Sequence, residues 1–199
     1  MTHAHLPAHS NHVLQFKQRI ELLGHVPDED YDRLAQVMHY KEFKKKEVIL
    51  GEGQVCKHFY FILEGAARGF SMHEGKEINI EFYFENHTAA DFYSLRHETP
   101  SQTFLVAVEK CKVLMAAKTD YLRIFNESMP FTSAMVRFFQ NMFFKEEAHS
   151  TSFKSLSPEE RYQYVIEHQP HLIQRIPQIY LASYLGMSRE TLSRIRRRY

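Results

Sequence analysis

The residues with the clearest chemistry stand at the end of the chain. Ser188-Arg189-Glu190-Thr191-Leu192-Ser193-Arg194-Ile195 runs directly into Arg196, Arg197 and Arg198, and five of the last eleven positions are arginine in a chain whose formal net charge is only +1. A guanidinium is a planar fork of donors that matches N7 and O6 of guanine, and a glutamate accepts from N4 of cytosine. Arg189, Glu190 and, one turn later, Arg194 can therefore read base edges from one helix. Arg196, Arg197 and Arg198 can neutralise phosphates, and the hydroxyls of Ser188, Thr191 and Ser193 complete the candidate DNA-binding set. Residues 154–199 hold Lys154 and seven arginines against four glutamates, a local +4 that leaves −3 for the other 153 residues. A basic helix end also complements the helix dipole. That accounts for Arg196 to Arg198 but not for a helix start bearing Arg189 and Glu190.

Other chemistries find little support. Cys56 and Cys111 are the only cysteines; far apart and in no CxxC pair, they read as structural thiols rather than cluster or zinc ligands. Four of the thirteen histidines, His3, His5, His9 and His12, fall in the first twelve residues. This is either a metal-binding tract or, with its proline and lack of period, a disordered polar tail. A metal-dependent cupin needs an HxH pair on a barrel strand with a downstream Glu and His, whereas His3-Ala4-His5 lies before any strand pattern. There is no Ser-His-Asp set, P-loop or dinucleotide fingerprint. We therefore expect no catalytic residue, no metal site, no cofactor and no enzymatic activity. No apolar run approaches the roughly 18 residues needed to cross a bilayer, and the N-terminus lacks the layout of a secretion signal. The expectation is a cytoplasmic protein without a membrane partner.

The elements that must position these groups follow from periodicity. HVLQFKQRIELLG, ending on Gly24, and DEDYDRLAQVMH, opening on Asp28, predict two helices between residues 12 and 39. From about 40 to 117 the texture changes to short apolar or alternating runs, among them KEVIL, HFYFIL, INIEFYF, TFLVAV and CKVLMA. Turn signals at 8 to 12 residue spacing separate them, the pattern of an antiparallel sandwich or barrel. KTDYLRIFNES predicts a short helix, and Pro130 opens a long one to about Ser152. On that helix Phe131, Met135, Phe138 and Met142 form one apolar line and Val136, Phe139 and Phe143 a second. A helix apolar on two faces must bury both. We assign the first line to a matching helix of a second copy, making the chain a homodimer. Ser157-Pro158-Glu159-Glu160 is a capping-box start for helices over 158–168, 177–185 and 189–198. In the last pair Ile179, Ala182 and Leu185 form the inner line, Gly186 makes the turn and Ser188 caps the second helix, whose inner residues are Leu192 and Ile195. That is a helix-turn-helix.

At this point the sequence resembles a known family. Ser188 to Ile195 is similar to the recognition-helix pattern S-R-E-T-x-x-R-I of the CRP/FNR transcription regulators. Gly51-Glu52-Gly53 followed by Phe59-Tyr60-Phe61-Ile62-Leu63-Glu64-Gly65 resembles the signature of their cyclic-nucleotide-binding jelly roll. The resemblance covers residues 12 to 198 with the parts in the same order. It implies an α+β chain with an N-terminal antiparallel jelly-roll barrel under a helical cover, a long dimerisation helix and a small helix-turn-helix domain lacking a full wing. In residue numbers these are 1–128, 129–153 and 154–199. It also implies a bacterial homodimer that binds double-stranded DNA at an inverted repeat, with RNA polymerase as a further partner.

The sequence departs from the family at the phosphate cassette. Where cyclic-nucleotide binders carry F-G-E and then R-S/T-A, this chain has Asp91-Phe92-Tyr93-Ser94-Leu95 and Ser101-Gln102-Thr103. The Gly, the Glu and the phosphate-binding Arg are missing, and neutral Gln or Ser does not replace the charged fork. Binding of cyclic AMP by the usual route is not expected. An effector pocket at this place would draw on Asp91, Phe92, Ser94, Arg96, Gln102 and Thr103. Where the family continues into a β-hairpin wing, Tyr199 follows the recognition helix, and Arg196 to Arg198 stand ready to take over backbone contacts. The main expectation is a dimeric DNA-binding regulator whose barrel senses an effector or none. The alternative is a cytoplasmic small-ligand-binding signalling module whose helical C-terminal domain contacts protein.

Overall fold

The computed structural model describes residues 11–199. They form two compact units, one of residues 11–69 with 82–140 and one of residues 70–81 with 141–199. Helices combine with antiparallel sheets, the expected α+β class.

The first unit opens with α1 (Asn11–Glu21) and α2 (Asp28–Val37). Val13, Phe16 and Ile20 of α1 are buried, the three- and four-residue spacing that puts side chains on one helix face. Asp28, Glu29 and Asp30 fill the first turn of α2, where negative charge meets the positive end of the helix dipole. The helix stops at Val37, two residues short of its expected end. Met38 and His39 instead begin β1 (Met38–Phe43), a strand the sequence did not announce. It pairs along its whole length with β8 (Cys111–Ala117), from Met38↔Ala116 to Phe43↔Cys111. A complete ladder outweighs the weak helical pattern that runs on past Val37.

The remaining strands are β2 (Val48–Leu50), β3 (His58–Glu64), β4 (Ala67–His73), β5 (Lys76–Tyr83), β6 (Thr88–Ala89) and β7 (Phe104–Ala107). They form two four-stranded sheets, ordered β1-β8-β3-β6 and β2-β7-β4-β5. The expected barrel is thus open, built as two sheets rather than one closed wall. Phe43, Leu50, Ile62, Leu105 and Val113 from both sheets lie in one hydrophobic cluster. β3 is buried from Phe59 through Leu63. The helical cover explains why this strand reads as a continuous apolar run instead of alternating: Phe16 meets Phe61 edge-on at 5.1 Å, and Phe59 lies 4.3 Å from Tyr121 between ring centres. Gly65 makes the turn after β3 at φ +92, and a Cβ there would stand 2.1 Å from the Lys110 carbonyl oxygen. No side chain fits.

Three further helices belong wholly or in part to this unit: α3 (Phe92–His97), α4 (Lys118–Glu127) and α5 (Met129–Ser155). The unit takes α5 as far as residue 140. Here the assignment of its faces is corrected. Phe131 and Met135 are 0% and 4% exposed inside the chain's own core, and Phe138 packs against it. The open face is the second line: Val136 and Phe139 are exposed, and farther along so are Phe143 and Phe144. The aromatic girth of β3 and Tyr121 claims the first line; Tyr121 meets Phe131 at 5.5 Å. Helical period alone does not say which of two apolar faces a sheet will take.

The second unit comprises the tip of the β4–β5 hairpin, the end of α5, and four short helices: α6 (Pro158–His168), α7 (Pro170–Arg175), α8 (Gln178–Tyr184) and α9 (Arg189–Arg196). The predicted capping box is formed: Glu160 N donates to Ser157 Oγ at 3.3 Å and Ser157 N to Glu160 Oε2 at 2.7 Å. α7, unanticipated, starts at Pro170, a residue suited to a first helical turn. Tyr162, Val165, Leu172, Leu181, Leu185, Leu192 and Ile195 are buried. No described helix is long and apolar enough to cross a membrane.

Candidate nucleic-acid interface

α9 is held as a two-faced element. Ser188 caps it, its Oγ accepting from Thr191 N at 3.1 Å, and Leu192 and Ile195 are 0% and 1% exposed. With one side so committed, Arg189, Glu190, Arg194 and Arg197 are exposed, while Thr191, Ser193 and Arg196 are half-buried. The helix is two residues shorter than expected, with Arg197 as its C-cap. Arg198 turns back: its Nη1 lies 3.2 Å from Glu159 Oε1 on α6, and Tyr199 donates to Gln163 at 3.4 Å. Of the three trailing arginines, one is therefore already engaged.

The turn before α9 depends on residues that the motif does not contain. Gly186 has φ +63, and a Cβ there would stand 3.0 Å from Arg161 Nη1 and 3.2 Å from Phe153 Cε1. Arg161, on α6, donates through Nη1 to the Leu185 carbonyl at 2.8 Å, satisfying an orphan acceptor at the end of α8. Its guanidinium rests 4.9 Å from the centre of the Phe153 ring. Leu181, Ala182, Tyr184 and Leu185 make the inner face of α8, whereas Ile179, expected there, is exposed. Ser183 is neither core nor solvent. It accepts from Asn79 N at 3.0 Å and donates to Glu77 O at 2.9 Å, so a single hydroxyl pairs with the edge of β5 as a neighbouring strand would. The sequence signal for Arg161 and Phe153 was present only as a capped helix and an aromatic at a helix end.

The six candidate effector residues divide. Asp91 caps α3, Oδ1 accepting from Ser94 N at 2.9 Å, and Oδ2 accepts from Ser101 Oγ at 2.7 Å. The Ser94 hydroxyl donates to Thr99 O at 2.6 Å and accepts from Cys56 N at 2.9 Å. Thr103 N donates to Ser101 Oγ at 3.1 Å. Asp91, Ser94 and Thr103 thus share one internal network with Ser101. Phe92 packs on Phe59 and Phe139, with ring centres 6.1 and 5.7 Å apart, and Arg96 and Gln102 are exposed. A small cavity of ≈ 40 Å³ lies elsewhere in this unit, walled by Phe16, Phe59, Phe61, Leu114, Tyr121 and Phe138 among others, and includes none of the six. Cys56 and Cys111 are buried free thiols, and desolvation pushes the Cys56 thiol up from its ordinary value. Among the described residues no group of three or more His, Cys, Asp or Glu is placed to hold a metal ion. His3, His5 and His9 lie outside the described residues.

Residues 40–128 match the family model of the cyclic nucleotide-binding domain. FixK2 from Bradyrhizobium japonicum superposes with a TM-score of 0.70 at 16% identity, over 81% of this chain and 84% of that one. CLP, the c-di-GMP responsive global regulator of Xanthomonas campestris, gives 0.68 at 12% identity over 86% and 91%. The catabolite activator protein of Thermus thermophilus gives 0.55 at 21% over 88% and 84%. The chain has the CRP/FNR fold. Among curated proteins none matches this sequence.

Proposed function

We propose that the protein is a dimeric, sequence-specific DNA-binding transcription regulator of the CRP/FNR type. The observation that carries this reading is the division of α9: Leu192 and Ile195 are buried to within 1% while Arg189, Glu190 and Arg194 are exposed from one capped, glycine-turned helix. That division leaves a donor and acceptor set suited to base edges free to enter a major groove. The exposed line Val136, Phe139, Phe143 with Phe144 supports a second copy packing along α5; three phenylalanines in water on one helix are an apolar surface that association would remove. A two-fold dimer would present two α9 helices about 34 Å apart to an inverted repeat. The protein would act in the cytoplasm, without catalysis, with RNA polymerase as its further partner.

Cyclic AMP is not the effector in this reading. The carboxylate of Asp91 stands within the cassette loop and already accepts two hydrogen bonds. An incoming cyclic phosphate would meet the like charge of Asp91, and neutral Ser101 and Gln102 stand where the family carries its phosphate-binding arginine. The deciding experiment is selection of duplexes from a random library by the purified protein, with native mass spectrometry of the same sample. Enrichment of an inverted repeat by a dimer is expected. No enrichment over random DNA, together with capture of a protein by the helical unit, would instead establish the signalling module that contacts protein.

A further inference from the structure

His149 lies on α5 where three elements of the second unit meet. Its ring stacks on Tyr184 of α8, with centres 4.9 Å apart at 25°, and leans on Phe153 one turn along its own helix at 4.6 Å. Tyr184 is buried, and its neighbour Ser183 grips the edge of β5. Besides its buried Leu181 and Leu185 and the Arg161 bond to the Leu185 carbonyl, α8 is thus seated by a hydroxyl on the hairpin and by an aromatic stack on α5. Only the second seat contains a group that changes charge near neutral pH.

The surroundings oppose that charge. Burial holds the His149 imidazole below its ordinary value of 6.5, and Lys145 adds to this; Glu146 on α5 and Glu81 on β5 pull the other way. Glu81 is already paired with Lys145 at 2.7 Å. On α6, Arg161 lies over the Phe153 ring, the ring that His149 also leans on, so a guanidinium already stands beside the stack. Tyr164 of α6 acts on the Tyr184 phenol, and burial, chiefly, pushes the Tyr184 hydroxyl far up, keeping it neutral.

We propose that His149 is a proton-operated latch: neutral, it seats Tyr184 and fixes α8 on α5, and on protonation it releases that seat. Because the seated state disfavours the proton, its stability is complete above the ordinary histidine value of 6.5 and is lost as pH falls from there through the depressed one. Below both values the loss is constant. For each unit of depression the seated-to-released ratio falls about tenfold. That release would disturb DNA binding rests on the proposed function; the latch itself does not.

The test is amide-exchange protection of residues 178–187 and 76–81 in the full chain from pH about 8 to about 5, corrected for the intrinsic rate, in the wild type and in His149→Phe. The side-chain titration of His149 is followed in the wild type by NMR, its ring signals assigned through the backbone resonances of the isotope-labelled wild-type chain. The expected result is a loss of protection on acidification in the wild type and a flat profile in the variant, which keeps an aromatic ring but has no proton to gain. Parallel profiles would overturn the latch. So would a His149 midpoint at or above the ordinary value, which the wild type reports even if the variant does not fold. DNA affinity, measured separately, would fail with the proposed function while leaving the exchange result intact.

Discussion

The division of labour along α9 gives the most discriminating experiment. Arg189 follows the Ser188 cap and is exposed, with no salt bridge among the described residues, so truncating it removes a proposed base reader without touching the core formed by Leu192 and Ile195. Arg189→Ala should cost about 1 to 3 kcal/mol per affected base pair on a selected operator and much less on random DNA, relaxing sequence preference at that pair. Arg197, the exposed C-cap, should behave as a phosphate contact. Arg197→Ala should weaken both DNAs and lower the slope of log K against log salt by about 0.9 per subunit, or about 1.8 per dimer. Arg198 is tied at 3.2 Å to Glu159, and both side chains are largely exposed. Such a pair is worth only about 0 to 1 kcal/mol, so Glu159→Ala should free the guanidinium and leave affinity unchanged or slightly raised. Paired salt titrations on the selected operator and on random DNA read all three. If Arg189→Ala and Arg197→Ala lose equal affinity on both DNAs, α9 is a nonspecific basic patch and the base-reading assignment is wrong.

Three further outcomes follow from the same geometry. Gly186→Ala places a side chain at φ +63 against Arg161 and Phe153, and should destabilise the second unit by about 1 to 3 kcal/mol, read by denaturant unfolding alongside DNA affinity. The double variant Val136→Glu with Phe143→Glu alters residues 46% and 65% exposed in the single chain. It should fold as the wild type does, yet sediment as a monomer, since four charges in a closed interface cost several kcal/mol; a wild type that is itself monomeric would end the dimer reading. Calorimetry with micromolar cyclic AMP should show no heat of binding, whereas saturable binding would mean that Arg96 or another donor replaces the missing arginine.

Much of the fold was legible because its signals are local. The Ser157–Glu160 box, the Ser188 cap and the Gly186 turn are decided within four residues, and the apolar runs of β3 and β8 carry strand character whatever surrounds them. Less was legible where two partners compete. Met38 and His39 continue a helical pattern, yet β8 offers them a full ladder, and α3, which no periodicity announces, forms where Asp91 caps it.

The sequence by itself determined that the last helix is amphipathic, capped and basic, and that the long helix has two apolar faces, because side-chain spacing and cap chemistry depend only on neighbours in the chain. Tertiary structure alone decided which face of α5 the core takes, since Phe131 and Met135 are claimed by an aromatic cluster assembled from distant segments. It also decided that Ile179 points outward, that Ser183 closes the edge of β5, and that Arg198 is drawn to Glu159. Each of these is settled by contacts between residues far apart in sequence, whose geometry exists only once the chain has closed on itself.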